Sequence, residues 1–234
     1  MLGRLREKYQ RAMAPVGRAL ARTGITPNAI TILTLIVAVV SGYLFYVGSL
    51  LLGFIMMALT VILDMFDGAV ARAANLSSKF GATLDHTLDR YAEFFFMFGL
   101  MAGPAGPVGI PWWPYSTGDT FIPWTWGFIA LFGMLMASFT RAKAESVGGL
   151  DRCTVGVAER QEKLLLQFAG ILLLALSPTN IWMDILNLFP EEIAQFFVLL
   201  QITNILTVCI VVVALLSHVT VIQRLCYAHK MITD

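Results

Sequence analysis

The chain has 234 residues, of which 58% are hydrophobic and only 13% charged; its formal net charge is +1 and its mean hydropathy +0.76. Soluble domains are nearer half apolar and a quarter charged, so this composition excludes a soluble globular domain and describes a polytopic membrane protein with no nucleic-acid partner. The apolar runs are about twenty residues long and do not alternate, so they predict helices and not a barrel.

The expected fold class is all-α, with an N-terminal amphipathic juxtamembrane helix over residues 1–25 and a six-helix membrane domain over residues 26–234. In the first part Arg4, Arg6, Lys8, Arg11, Arg18 and Arg22 alternate with Leu2, Leu5, Tyr9, Met13, Val16 and Leu20. That pattern suits a helix in the membrane interface, bent at Pro15, or a basic topogenic leader. Thr26-Pro27-Asn28 opens the first span, expected over residues 28–47, with Thr26 or Asn28 as cap. No cleavable signal peptide is expected, because one apolar run follows another directly. The second span is expected over residues 50–67, followed by a polar connection from Gly68 to Lys79. The third covers residues 81–101 and carries Asp85, Asp89, Arg90 and Glu93 in its first half. Residues 102–123 read as an outside loop with Trp112, Trp113, Tyr115 and Trp124. The fourth and fifth spans are expected over residues 126–140 and 164–176, with a polar segment from Arg141 to Lys163 between them. The fifth is short, and its continuation through Ser177-Pro178 toward Trp182 is the alternative end. A second outside loop then holds Asp184, Glu191 and Glu192, and the sixth span is expected over residues 193–221. Every Lys and Arg falls on the predicted inner side, so the positive-inside rule puts both termini in the cytoplasm. Cys153, Cys209 and Cys226 have no metal-binding spacing and read as packing residues.

Four carboxylates interrupt this apolar text. Asp64 and Asp67 are three apart, and Asp85 and Asp89 four apart. On helices both separations put the pair on one face. A carboxylate in hydrocarbon is costly without compensation, and hard divalent cations such as Mg²⁺ are bound by carboxylates together with substrate phosphates. Gly68 and Gly81 allow close approach of backbone or ligand, and Arg72 offers a planar fork for phosphate oxygens. A proton or cation pathway, as in a small transporter, is the other reading of such carboxylates.

The run Asp64-x-x-Asp67-Gly68-x-x-Ala71-Arg72-x8-Gly81-x3-Asp85-x3-Asp89 resembles the signature of the CDP-alcohol phosphotransferase family, with all eight defined positions filled over 26 residues. The resemblance implies a membrane enzyme that moves a lipid phosphate from CDP-diacylglycerol or CDP-archaeol to an alcohol and releases CMP. It implies two Mg²⁺ or Mn²⁺ ions held by Asp64, Asp67, Asp85 and Asp89, with Asp89 also as general base. It implies that Gly68, Ala71, Arg72, Ser78 and Gly81 hold the CDP moiety. Asn28 and Thr31 would meet its cytidine end, with ordinary helix capping as the alternative.

The acceptor is read elsewhere. Arg141-Ala-Lys143-Ala-Glu145 and Ala158-Glu159-Arg160 resemble the branch of the family that makes phosphatidylinositol phosphate or its archaeal ether-lipid equivalent. Arg141, Lys143 and Arg160 would then hold the phosphate of inositol phosphate, joined by Arg224 from the end of the sixth span; topology-setting inner charge is the alternative. Glycerol 3-phosphate and serine are the other acceptors considered. A homodimer in the cell membrane, with the signature at the cytoplasmic face, completes the expectation.

Overall fold

The fold rests on helices whose bulky apolar faces point outward. The computed structural model describes residues 13, 15–74, 76–104, 120–177 and 180–232. Residues 1–12 of the expected interfacial helix, most of the first outside loop including Trp112, Trp113 and Tyr115, and Pro178 lie outside the described residues. Among the described residues the structure is helical, with a single isolated bridge between Pro104 and Thr120 and no strand. The helices are α1 (Pro27–Tyr46), α2 (Leu50–Ala73), α3 (Lys79–Ala102), α4 (Trp124–Ser146), α5 (Arg160–Leu176), α6 (Ile181–Leu186), α7 (Glu191–Leu199) and α8 (Ile205–Met231). Three of them, α1, α2 and α8, are long and apolar enough to cross a membrane, with mean hydropathies of 2.2, 2.1 and 2.7. The chain divides into two compact units, Met1–Phe45 with Leu52–Gly99, and Tyr46–Leu51 with Leu100–Asp234.

In the first unit, α1 starts as its sequence directs. Pro27 takes the first helical position, where its missing N–H costs nothing, and Thr26 Oγ1 accepts the Ala29 N–H at 3.3 Å. Ile30, Thr31, Thr34, Ala38, Ser41, Gly42 and Phe45 form its buried stripe at spacings of three and four. Ile32, Leu33, Ile36, Val39, Val40 and Tyr43 are exposed on the opposite side. Small and hydroxyl-bearing residues inside with branched apolar residues outside is the arrangement of a helix solvated by lipid. The glycines on α1 and α3 make the approach close. A Cβ on Gly42 would strike the Phe95 carbonyl, and one on Gly99 would run into the Gly42 carbonyl. Ser41 Oγ donates to Gly53 O at 2.7 Å, tying α1 to α2. Residues 15–22 are helical as well; Gly17 rests on the α2 backbone, where a Cβ would come within 2.6 Å of Ala69 O.

Two expected boundaries are corrected. The second span was expected to stop at Asp67, with Gly68 to Lys79 as a connection; α2 instead runs on to Ala73. The residues Ala69-Val-Ala-Arg-Ala favour helix, and one interior glycine costs only about 1 kcal/mol. The expected sixth span over residues 193–221 is also not one helix. It is broken into α7 and α8 by residues 200–204, and α6 lies in the expected second outside loop. The Gln201-Ile-Thr-Asn204 stretch carries the break. Gln201 takes a left-handed conformation at φ 59°, and the Asn204 side chain accepts the Thr207 N–H at 2.8 Å to start α8. Trp126 Nε1 and Trp182 Nε1 donate to the Leu200 and Ile202 carbonyls, each at 2.8 Å. The broken turn thereby keeps its backbone groups paired.

In the second unit α4 and α5 pack on α8. Gly133 meets Ser217 and Gly170 meets Cys209, where an added Cβ would lie 2.9 and 3.0 Å away. Both α4 and α5 extend beyond the expected spans, α4 through Arg141 and Lys143 to Ser146, and α5 back to Arg160. Glu159 and Glu162 form a reciprocal capping box at the start of α5.

The contact between α1 and α3 is tight enough to test. Gly99→Ala is expected to force the two backbones apart at a cost of about 1–3 kcal/mol, as overpacked interiors do. It should appear as a lower unfolding midpoint in detergent, and an unchanged midpoint would show that the two helices do not touch there.

Candidate active site

The first unit gathers the acidic residues. Asp64 and Asp67 lie three residues apart on α2, and Asp85 faces them from α3; one carboxylate oxygen from each lies within 4.8 Å of the others. Asp67 is 6% exposed. At this separation two full charges repel by roughly 3–4 kcal/mol at an effective dielectric of about 20. Three carboxylates cannot remain ionised together without a counter-charge. The donor set is oxygen alone, with no thiolate or imidazole, and so fits a hard divalent cation such as Mg²⁺ or Mn²⁺. Asp89 is one turn beyond Asp85 and 9% exposed; it stands outside the group of three. Arg90 Nη1 and Glu93 Oε1 pair at 3.2 Å. That pair neutralises two of the charges on α3.

α1 braces the cluster. Thr31 Oγ1 donates to Asp67 Oδ2 at 2.9 Å and lies on the buried stripe. The hydroxyl fixes the orientation of that carboxylate, a role that sequence spacing does not reveal because the partners are 36 residues apart.

Beside the aspartates is a cavity of about 190 Å³ formed by the start of α1, the end of α2 and the start of α3. All seven residues expected to contact the CDP moiety line it, together with Asp67 and Asp85. The continuation of α2 brings this about, because it places Gly68, Ala71 and Arg72 on successive turns of one helix. A Cβ on Gly68 would lie 3.2 Å from Arg72 Nη1, so the guanidinium folds back over that glycine. At the start of α3, Ser78 Oγ accepts the Gly81 N–H at 2.9 Å. A Cβ on Gly81 would lie 3.0 Å from Ser78 Oγ and 3.2 Å from Asn28 Oδ1. Glycine thus keeps Asn28 against the α3 start. The dipole of the nearby α3 N-terminus favours an anion.

The second unit holds the expected acceptor cations, and it does not bring all four together. Arg141 Nε pairs with Glu145 Oε1 at 3.0 Å. Lys143 is two residues further on, about 200° around the helix, and its ammonium lies over the Phe139 ring at 5.8 Å. It therefore points away from Arg141, a separation already implicit in helical periodicity. Arg224 is 6% exposed; its Nε donates to Val155 O at 2.9 Å and its Nη1 to Ala137 O. The guanidinium ties α8 to α4 and to the segment after it. Arg160 takes the first position of α5, next to the capping box.

Comparison with known proteins agrees with this geometry. Residues 24–209 match the model of the CDP-alcohol phosphatidyltransferase family. The chain is 30% identical to archaetidylinositol phosphate synthase of Pyrococcus horikoshii over 230 residues, covering 98% of this chain and 97% of the relative. It is 34% identical to phosphatidylinositol phosphate synthase of Mycobacteroides abscessus over 167 residues, covering 70% of each. The crystal structure of Mycobacterium tuberculosis phosphatidylinositol phosphate synthase with CDP-DAG bound superposes with a TM-score of 0.69 at 28% identity, covering 93% of this chain and 94% of that one. The same enzyme in complex with manganese and citrate superposes with a TM-score of 0.68 at 27% identity, covering 93% and 89%.

The brace on Asp67 makes a prediction. Thr31→Val keeps the shape and removes the hydroxyl, and is expected to weaken Mn²⁺ binding by roughly 10–100-fold, as loss of a ligand's own hydrogen-bond partner commonly does. A Mn²⁺ titration of the purified protein measures it; an unaltered affinity would free Asp67 from dependence on Thr31.

Proposed function

The chain belongs to the CDP-alcohol phosphatidyltransferase family, and from that premise we propose that it transfers the lipid phosphate of CDP-diacylglycerol or CDP-archaeol to a hydroxyl of inositol phosphate. The observation that carries this reading is the trio of carboxylates within 4.8 Å of one another beside a cavity lined by the signature residues. The names of the relatives in the Pyrococcus and Mycobacteroides comparisons support inositol phosphate as the acceptor.

Asp64, Asp67 and Asp85 would hold the divalent cations, with Asp89 completing the set; when bound, such ions neutralise phosphate oxygens and the leaving group. The chain's own groups do the rest. Arg72 and the backbone at Gly68, Ala71, Ser78 and Gly81 hold the diphosphate, while Asn28 and Thr31 meet the cytidine end. Asp89 takes the proton of the acceptor hydroxyl. The acceptor oxygen forms its bond to the lipid-side phosphorus, and the bond from that phosphorus to the bridging oxygen breaks. CMP leaves with that oxygen and its electron pair. Arg141, Arg160 and Arg224 take the acceptor's phosphate, a dianion suited to planar guanidinium donors; Lys143 contributes charge from the other face of α4.

The same reading extends to the setting. The apolar runs support six membrane passes, the basic and apolar residues of the N-terminal segment support an interfacial helix, and the distribution of Lys and Arg supports cytoplasmic termini and a cytoplasmic active site. The assembly is a homodimer in the cell membrane.

Purified protein given a CDP-lipid and Mg²⁺ or Mn²⁺ is expected to release CMP with inositol phosphate and not with glycerol 3-phosphate or serine. Release only with one of the other acceptors would replace the assigned substrate. Asp89→Asn is expected to lower turnover by at least about 100-fold, the range in which general-base catalysis contributes, while CDP-lipid binding stays measurable. Turnover at the parent rate would remove Asp89 as the base.

A further inference from the structure

Between α4 and α5 the chain is not helical over residues 147–159. Side chains from α4 and α8 nevertheless hold its backbone at four points. Glu145 Oε1 accepts the Cys153 N–H at 2.9 Å, and Arg224 Nε donates to Val155 O at 2.9 Å. Gln223 Oε1 accepts the Val157 N–H at 2.8 Å, and Thr220 Oγ1 donates to Ala158 O at 3.4 Å. Cys153 is fully buried against Ala144 and Ala228. The strapped segment leads directly into the capping box that presents Arg160.

Glu145 has two tasks here. The oxygen that holds the Cys153 amide is also the one paired with Arg141 Nε at 3.0 Å. Because only Nε is used in that pair, the terminal edge of the guanidinium keeps its fork for a phosphate. We propose that Glu145 is a positioning residue of the acceptor site, orienting Arg141 and anchoring the 147–159 segment through one carboxylate, with Gln223 as the matching anchor from α8. This rests on the reading of Arg141 and Arg160 as acceptor-phosphate ligands.

Two effects oppose each other when Glu145 is removed. Arg141 loses a competing carboxylate, which favours anion binding. That gain is small, because the paired side chains are 46% and 31% exposed and water already screens them. The segment also loses an anchor, so binding the acceptor must order it, and that cost falls on affinity. The second effect dominates.

The test uses the full chain with Cys209→Ser and Cys226→Ser, which leaves Cys153 as its one thiol. Maleimide labelling reads the strap, and CMP release reads the site. In Glu145→Ala, labelling of Cys153 is expected to speed up, and the KM for inositol phosphate to rise about tenfold, as loss of preorganisation allows. kcat and the KM for CDP-lipid should hold. Gln223→Ala cuts only the Val157 bond and should move both readouts in the same direction by less. Faster labelling with an unchanged acceptor KM would make the strap merely structural and overturn the proposal, as would unchanged labelling in both variants or an equal rise in the two KM values. Failure of the underlying function shows itself separately, as no CMP release by the parent protein with inositol phosphate.

Discussion

Mutual repulsion among clustered carboxylates, of which Asp67 is buried, is the constraint on which this structure turns. Asp64, Asp67 and Asp85 approach within 4.8 Å in a part of the chain surrounded by apolar helix. Their charge is tolerable only against a counter-charge, and an all-oxygen donor set suits hard divalent cations. Much else in the first unit serves that arrangement. Thr31 orients Asp67, Arg90 and Glu93 neutralise each other on α3, and Gly42 and Gly99 let α1 and α3 approach until their backbones nearly touch. A larger residue at either glycine would separate the helices and widen the site that depends on their spacing.

The second unit meets a different demand, that of holding irregular backbone in a largely apolar protein. At the break before α8, two tryptophan N–H groups and the Asn180 side chain take up the carbonyls of Leu200, Ile202 and Thr203, and Asn204 within the break donates to Phe121 O. At the segment after α4, Glu145 and Gln223 accept backbone N–H groups and Arg224 and Thr220 donate to carbonyls. In both places these side chains, Glu145 apart, come from elements distant in sequence. Arg224 is the clearest case: two of its five donors fix backbone carbonyls on separate segments.

The acidic site was legible in the sequence because ionisable residues inside apolar runs are expensive, which makes their spacing informative. The spacing put Asp64 with Asp67 and Asp85 with Asp89 on single helix faces, and the structure gathers the first three and leaves Asp89 outside that group. Boundaries were less legible. Hydropathy averages over a window, so a five-residue interruption such as 200–204 vanishes between two strongly apolar flanks. The run of α2 past Gly68 was missed because a glycine beside a charged residue looks like a stop, although its neighbours favour helix. The opposite faces taken by Arg141 and Lys143 could have been computed from 3.6 residues per turn. The hydrogen bonds of Gln223 and Thr31 to residues distant in sequence had no sequence signal, since nothing local distinguishes a capping side chain from a bracing one.

Direct Mn²⁺ binding reaches the central claim with least dependence on the rest. Free Mn²⁺ followed by electron paramagnetic resonance, during titration of the purified protein in detergent, should reveal saturable binding that disappears when Asp64 and Asp67 are both changed to Asn. Equal binding by that double variant, or none by the parent protein, would contradict the account.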